Sequence, residues 1–390
     1  MNMARDNTAR RLDELEDENL KAIARRWADM DKESEGSEEP EKPGRSHKRR
    51  LTPGRIVLRV FAVLGTTLLL AVAGIYAVML VLTHGPSTVA RDLFVLSVRE
   101  SSAGGFLANM VCSKELIAQI EESNKVEIVD DTTDTTLIDF KEPEPDGDIG
   151  EIEVQGKEPY LTKDGIQFYK VSGPTYSGTM IVVSDPSRVF VGTSKDRYDG
   201  SAGLNVPGIV ERYGAALGIN AGGFVDTNGV GNGGTPLGIV ISEGQLKYGS
   251  LSQWYELIGF DKNNVFVIGK MTGQQAIDRG IRDAVSFGPF LILNGESLPV
   301  SGMGGGLNPR TAIGQRADGA VLMLIIDGRQ THSLGASMND LINEMLDFGA
   351  VNAANLDGGG STVLYYDGAI QNEVASIYGA RGIPTAFLVR

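Results

Sequence analysis

The sequence predicts a mixed α/β (α+β) fold: a single glycine-rich domain with a mixed sheet and flanking helices, preceded by a transmembrane helix and a helical stalk. Three observations predict it. From Tyr160 onward, apolar runs such as "TMIVVSD", "RVFVGT", "LGIVIS", "NNVFVIG" and "AVLMLIID" alternate with glycine-rich turns, the texture of short strands. Helix-like stretches there are few, chiefly "VPGIVERYGA" and "MNDLINEMLDFGA". Ahead of that domain, "VFAVLGTTLLLAVAGIYAVMLVL", residues 60–82, has no charge over 23 positions.

Residues 1–59 read as a cytoplasmic tail, largely disordered. Leu12, Leu15, Ile23 and Trp27 fall near helical spacing, a marginal solvated helix, and "DKESEGSEEPEKPGRSH" is too charged to build a core. The apolar run spans about 34 Å at 1.5 Å per residue, enough to cross a hydrocarbon core of about 30 Å. The triplet Ala71-Val72-Ala73 resembles a signal-peptide cleavage site, but it lies inside the run and behind a long tail, so an uncleaved anchor is expected. Arg45, Lys48, Arg49, Arg50, Arg55 and Arg59 precede the run and only Arg91 follows closely, which puts the N-terminus in the cytoplasm and the C-terminal part outside. A single-pass protein of the cell membrane is expected.

Residues 83–140 contain the helix-like "TVARDLFVLSVRES" and "KELIAQIEES", a membrane-proximal stalk, and residues 141–159 are acidic and proline-punctuated, a linker. The remaining residues 160–390 form the domain. With 36 Lys+Arg against 50 Asp+Glu, a net charge of −14, binding to nucleic acid by bulk electrostatics is not expected. One cysteine, Cys112, allows no intrachain disulfide and suits a bacterial exterior.

Inside the domain, two segments 135 positions apart share a pattern of helix, Gly-Ala break, apolar run and Asn: one ends at Asn220 before Gly222-Gly223, the other at Asn355 before Gly358-Gly359-Gly360. Few polar residues stand at strand ends beside glycines: Asn220, Arg310, Asp327, Arg329 and Asp357. Strand ends are where α/β folds tend to place their sites. Gly222, Gly223 and Phe224 would let a ligand approach the backbone and stack on a ring. Arg310, with its planar fork, suits a bidentate grip on phosphate. The glycines after Asp357 leave amides able to form an anion-binding nest. Each has a plainer reading, since Asp-Gly is a common hairpin turn, the reading preferred at Asp367, and a buried arginine is often a structural ion-pair partner. The domain's one histidine, His332, leaves little support for a zinc site or a Ser/His/Asp triad, and one carboxylate among glycines is too few oxygens for calcium. No metal and no cofactor are expected.

Taken in order, "GINAGGF", "NPRTAIG", "LIIDGR", "NLDGGGST" and "RGIPTAFLV" resemble the motifs of the phosphodiester glycosidase family, over roughly residues 160–390. That family includes the mannose 6-phosphate uncovering enzyme and bacterial exopolysaccharide-biosynthesis homologues. "DGRQTHSLGAS", with His332, departs from the pattern, and the animal enzyme's disulfide-rich appendages are absent. The resemblance implies a hydrolase acting on a sugar-1-phosphodiester, with Asp357, Arg310 and Asp327 catalytic, and Asn220, Gly222, Gly223, Phe224, Thr311, Arg329, Asn355, Gly358, Gly359, Gly360 and Ser361 lining the substrate. The expected partner is a sugar-phosphate diester or an envelope glycopolymer. Two alternatives stay open: a non-catalytic glycan-binding or envelope-assembly module, and a phosphodiesterase that cuts the P–O bond.

Overall fold

The computed structural model describes residues 21–22, 25–26, 53–101, 104–127, 129–140, 150–226, 231–376 and 378–390. Most of the tail and the first half of the acidic linker lie outside the described residues. By contacts the chain divides into residues 1–71 and 72–390. Helix α1, Pro53–His84, contains the expected 60–82 run and extends it at both ends. It is long and apolar enough to cross a membrane, with a mean hydropathy of 2.3 in its most apolar window.

Three shorter helices follow: α2 (Thr88–Arg99), α3 (Gly105–Val111) and α4 (Lys114–Glu122). Ser87 and Ser113 cap α2 and α4 by accepting the free amides of Ala90 and Leu116. Val95, Leu96, Ala108, Ile117 and Ile120 pack together as a small core of their own. The segment that follows α4 pairs with the domain. Val126 bridges Val300 and Thr132 bridges Gly269. Ile152 and Val154, in the second half of the expected linker, are buried in the main core, because hydrophobic side chains within an acidic stretch still seek cover.

Among the described residues the domain has three sheets, and every strand pairing in them is antiparallel where a mixed sheet was expected. Tight turns such as Asp164-Gly165 and Asn294-Gly295, with both residues at positive φ, join adjacent hairpin strands, while longer connections bring together non-consecutive strands such as Ser177–Val183 and Val321–Ile326, again antiparallel. The first sheet has eight strands, in the order Leu161–Lys163, Ile166–Ser172, Ser177–Val183, Val321–Ile326, Arg310–Arg316, Ala350–Leu356, Phe290–Leu293 and Glu296–Ser297. The second runs Gln245–Tyr248, Val240–Ser242, Ile281–Ser286, Trp254–Asp261 and Phe266–Thr272. The third runs Ala369–Ile370, Leu364–Tyr366, Leu217–Asn220, Thr385–Val389 and Val189–Thr193.

Register then decides what meets. Arg310 stands opposite Ile326, and Thr311 opposite Leu356. Asp327, Arg310 and Asp357, far apart in sequence, therefore lie on three adjacent strands at one end of the first sheet. Helices α5 (Val206–Tyr213) and α7 (Met338–Asp347) feed the strands that end near Asn220 and Asp357. A capping box of Ser337 and Asp340 starts α7, and Gly214 at φ 60° ends α5. Helix α6, Gly273–Asp278, flanks the second sheet.

Phe387 of the third sheet meets Phe260 of the second edge-on at 6.2 Å, and both rings are fully buried. Truncating Phe387→Ala should cost about 3–5 kcal/mol, read as a lower denaturant midpoint of the full chain in detergent. An unchanged midpoint would remove this contact from the core account.

Candidate active site

Asn220, 1% exposed at the end of its strand, joins three parts of the site. Its side-chain amide donates to the carbonyl of Asp357. Its oxygen accepts the Thr311 hydroxyl at 2.8 Å and the Val363 amide at 3.1 Å. Both capacities of one buried side chain are used on groups that flank the catalytic candidates. Asn355, in the first sheet, donates to the Gly288 carbonyl at 2.8 Å, while its buried oxygen has no partner.

Asp357 is partly buried, with the Ser361 hydroxyl bonded to its carboxyl. Burial pushes its pKa up to about 6; the Ser361 bond and Arg381 oppose the rise, and the negative charge of Asp226 adds to it. The following glycines answer to neighbours as much as to any ligand. A Cβ on Gly358 would stand 2.8 Å from the Pro309 carbonyl, and Gly359 sits at φ 59° against the Arg329 guanidinium. The expected amide nest is largely spent within the chain: Gly359 donates to Pro309, Ser361 to Gly358 and Thr362 to Gly359.

The cationic side of the site is a pair. Arg310, 6% exposed, donates from Nε to the Ala336 carbonyl at 3.1 Å and from Nη2 to the Gly306 carbonyl at 2.7 Å. The same Nη2 meets a carboxylate oxygen of Glu100 at 2.6 Å. Arg329, at φ 58°, donates to the Asn308 side-chain oxygen at 2.8 Å. Burial and then the charge of Arg310 lower the Arg329 pKa, and Glu100 opposes both.

Asp327 is turned to a different task. Its carboxylate accepts the Glu373 amide at 3.1 Å and Asn372 Nδ2 at 3.4 Å, and Asn372 also donates to the Thr362 carbonyl. Asp327 thus braces the segment beside the Gly358–Ser361 turn, and burial raises its pKa. Gly222 and Gly223 face protein: a Cβ on them would meet Val285 at 2.9 Å and the Phe287 ring at 2.8 Å. Phe224 is 5% exposed, with the Arg381 guanidinium 4.7 Å over its ring, so the face expected to stack a ligand already carries a cation.

Sequence reasoning did not single out four residues. Arg381 pairs with Asp226 at 2.8 Å, beside Asp357. Asn308 and Glu100 complete the arginine cluster. Arg381, Asp226 and Asn308 stand in or next to the glycine motifs, where a polar residue was a usable signal; Glu100 had none. Among the described residues no group of His, Cys, Asp and Glu is arranged to hold a metal.

Residues 213–390 match the family model for phosphodiester glycosidases. A prophage SPbeta-derived uncharacterized protein of Bacillus subtilis, YomE, is 32% identical over 148 residues, which is 34% of this chain and 23% of that protein. The chain thus matches under a quarter of the length of that relative. The catalytic domain of zebrafish N-acetylglucosamine-1-phosphodiester alpha-N-acetylglucosaminidase, auto-inhibited by its pro-peptide, shares the fold at a TM-score of 0.50 and 20% identity, over 61% of this chain and 87% of that one.

The Asp357 environment has a measurable cost. Because its folded pKa is raised, the stability gained by keeping the group neutral is present below the ordinary carboxylate range and is lost as pH rises through about 6. Asp357→Asn removes that penalty. At pH 8 the variant should be the more stable, on the order of 2 kcal/mol, and the two proteins should converge below about pH 4. A variant less stable than the parent at pH 8 would contradict this.

Proposed function

We propose, from the match of residues 213–390 to the phosphodiester glycosidase family model, that this chain is a hydrolase that cleaves the bond between a sugar's anomeric carbon and a phosphodiester oxygen. The observation that carries the reading is the meeting, at adjacent strand ends, of a carboxylate with a raised pKa and a pair of arginines.

The chemistry follows from the leaving group. When the C1–O bond breaks, its electron pair departs on a phosphate monoester, which is acidic enough to leave without a proton. Arg310 and Arg329 offset the charge that develops there. The sugar becomes cation-like, and ionised Asp357 stabilises it, either as a nucleophile or by taking the proton of the attacking water. The water oxygen ends on C1. Asp226 and Arg381 set the field around Asp357, and Asp327 holds the turn in place through Asn372.

The substrate class is a sugar-1-phosphodiester within an envelope glycopolymer or exopolysaccharide, on the outer face of a membrane that α1 crosses once. The apolar length of α1 and the basic flank before it support that topology. A purely binding module has no need of a carboxylate and two arginines gathered at adjacent strand ends beside glycines, which favours the hydrolase over that alternative.

Asp357→Asn keeps size and hydrogen bonding but removes the charge, so turnover should fall at least about a hundredfold, equivalent to about 2.7 kcal/mol. The parent's rate should decline as pH drops through about 6, since the ionised form is the active one. Parent-like activity in Asp357→Asn on a sugar-phosphate diester would place the site elsewhere. For the topology, protease added to intact cells should digest the C-terminal domain and spare residues 1–59; digestion of the tail alone would reverse the orientation.

A further inference from the structure

Glu100 caps the C-terminus of α2, the first helix after the apolar one, yet its carboxylate sits in the arginine cluster. It accepts the Gly306 amide at 2.9 Å, Asn308 Nδ2 at 2.8 Å and Arg310 Nη2 at 2.6 Å. Arg329 adjoins through Asn308. A backbone amide, a side-chain amide and a guanidinium converging on one anion, with a second guanidinium beside them, are the donors that recognise phosphate.

The loop is shaped to admit this carboxylate. Gly305 has φ 154°, and a Cβ there would lie 2.5 Å from a Glu100 oxygen; a Cβ on Gly306 would lie 2.2 Å from the Ser97 amide nitrogen. Ser97 and Asn124 add polar ties: the Leu307 amide donates to the Ser97 hydroxyl at 2.9 Å and the Met303 amide to Asn124 at 3.0 Å, and the main-core tether, Val126 against Val300, comes only after α4. The apolar contacts of α2–α4 are mostly with one another. The helices can therefore leave the loop while keeping their own core. A cavity of about 830 Å³, lined by Glu100, Gly304, Met338, Phe287, Pro289 and Trp254, opens beside the cluster, and Arg310 is not among its lining residues.

We propose that Gly306 N–H, Asn308, Arg310 and Arg329 form a phosphate subsite, and that Glu100 occupies it as a tethered competitor, so that undocking of the membrane-proximal helices admits the substrate's phosphate. The proposal rests on the hydrolase reading only for the identity of the phosphate it serves. With Glu100 in place the two guanidinium charges are half neutralised. With it withdrawn they match the two charges of a departing phosphate monoester.

The test uses the full chain in detergent, with inorganic phosphate as the probe. Glu100→Gln should bind phosphate at least tenfold more tightly than the parent, the gain should vanish in Glu100→Gln/Arg310→Met, and turnover of a sugar-phosphate diester should rise. In the parent, which needs no variant to fold, saturating phosphate should speed hydrogen exchange across residues 88–99. Unchanged or weaker phosphate affinity in Glu100→Gln, a gain that survives loss of Arg310, or no change of exchange in the parent overturns the proposal. Diester turnover by the parent without any phosphate effect leaves the hydrolase standing and removes the competitor. Tighter phosphate binding with no diester turnover does the reverse.

Discussion

The site's geometry depends on one buried side-chain amide, that of Asn220. Asn220 belongs to the third sheet, while Asp357 and Thr311 belong to the ends of first-sheet strands, and the Asn220 side chain bonds to both. An amide is the side chain that both donates and accepts, and here it does both within a dry environment where an unmet polar group is costly. Replaced by an apolar residue, it would leave the Asp357 carbonyl and the Val363 amide without this partner. Aspartate, lacking the donor, would oppose a carbonyl with a charge.

Around that hub the protein holds groups that do not favour each other. Asp357 lies near Asp226, Arg310 lies near Arg329, and each like-charged pair is tempered by an opposite charge: Arg381 for the carboxylates, Glu100 for the guanidiniums. Burial, more than these neighbours, raises the Asp357 pKa. It also means the site is a place of stored electrostatic cost, offset by the large apolar core formed by the sheets behind it.

The sequence made the strand ends legible because apolar runs ending in a polar residue and glycine are a local pattern. "LIIDGR" and "NLDGGGST" lie where that pattern put them, at the ends of Val321–Ile326 and Ala350–Leu356. The meaning of individual glycines was not legible. Gly222 and Gly223 read as room for a ligand, but their space is taken by Val285 and Phe287, more than sixty positions on. The antiparallel order of the sheets was hidden for the same reason, since strand pairing such as Val321–Ile326 with Ser177–Val183 is non-local. Glu100 is the limiting case. It looks like any solvated glutamate near a helix end, and its partner Arg310 lies 210 positions away.

Cleavage of a sugar C1–O bond and cleavage of a P–O bond leave the water oxygen on different products. Hydrolysis of a sugar-phosphate diester in ¹⁸O-labelled water reads the bond directly. Label carried by the free sugar, with an unlabelled phosphate monoester, is the result predicted here; label on the phosphate would contradict the account.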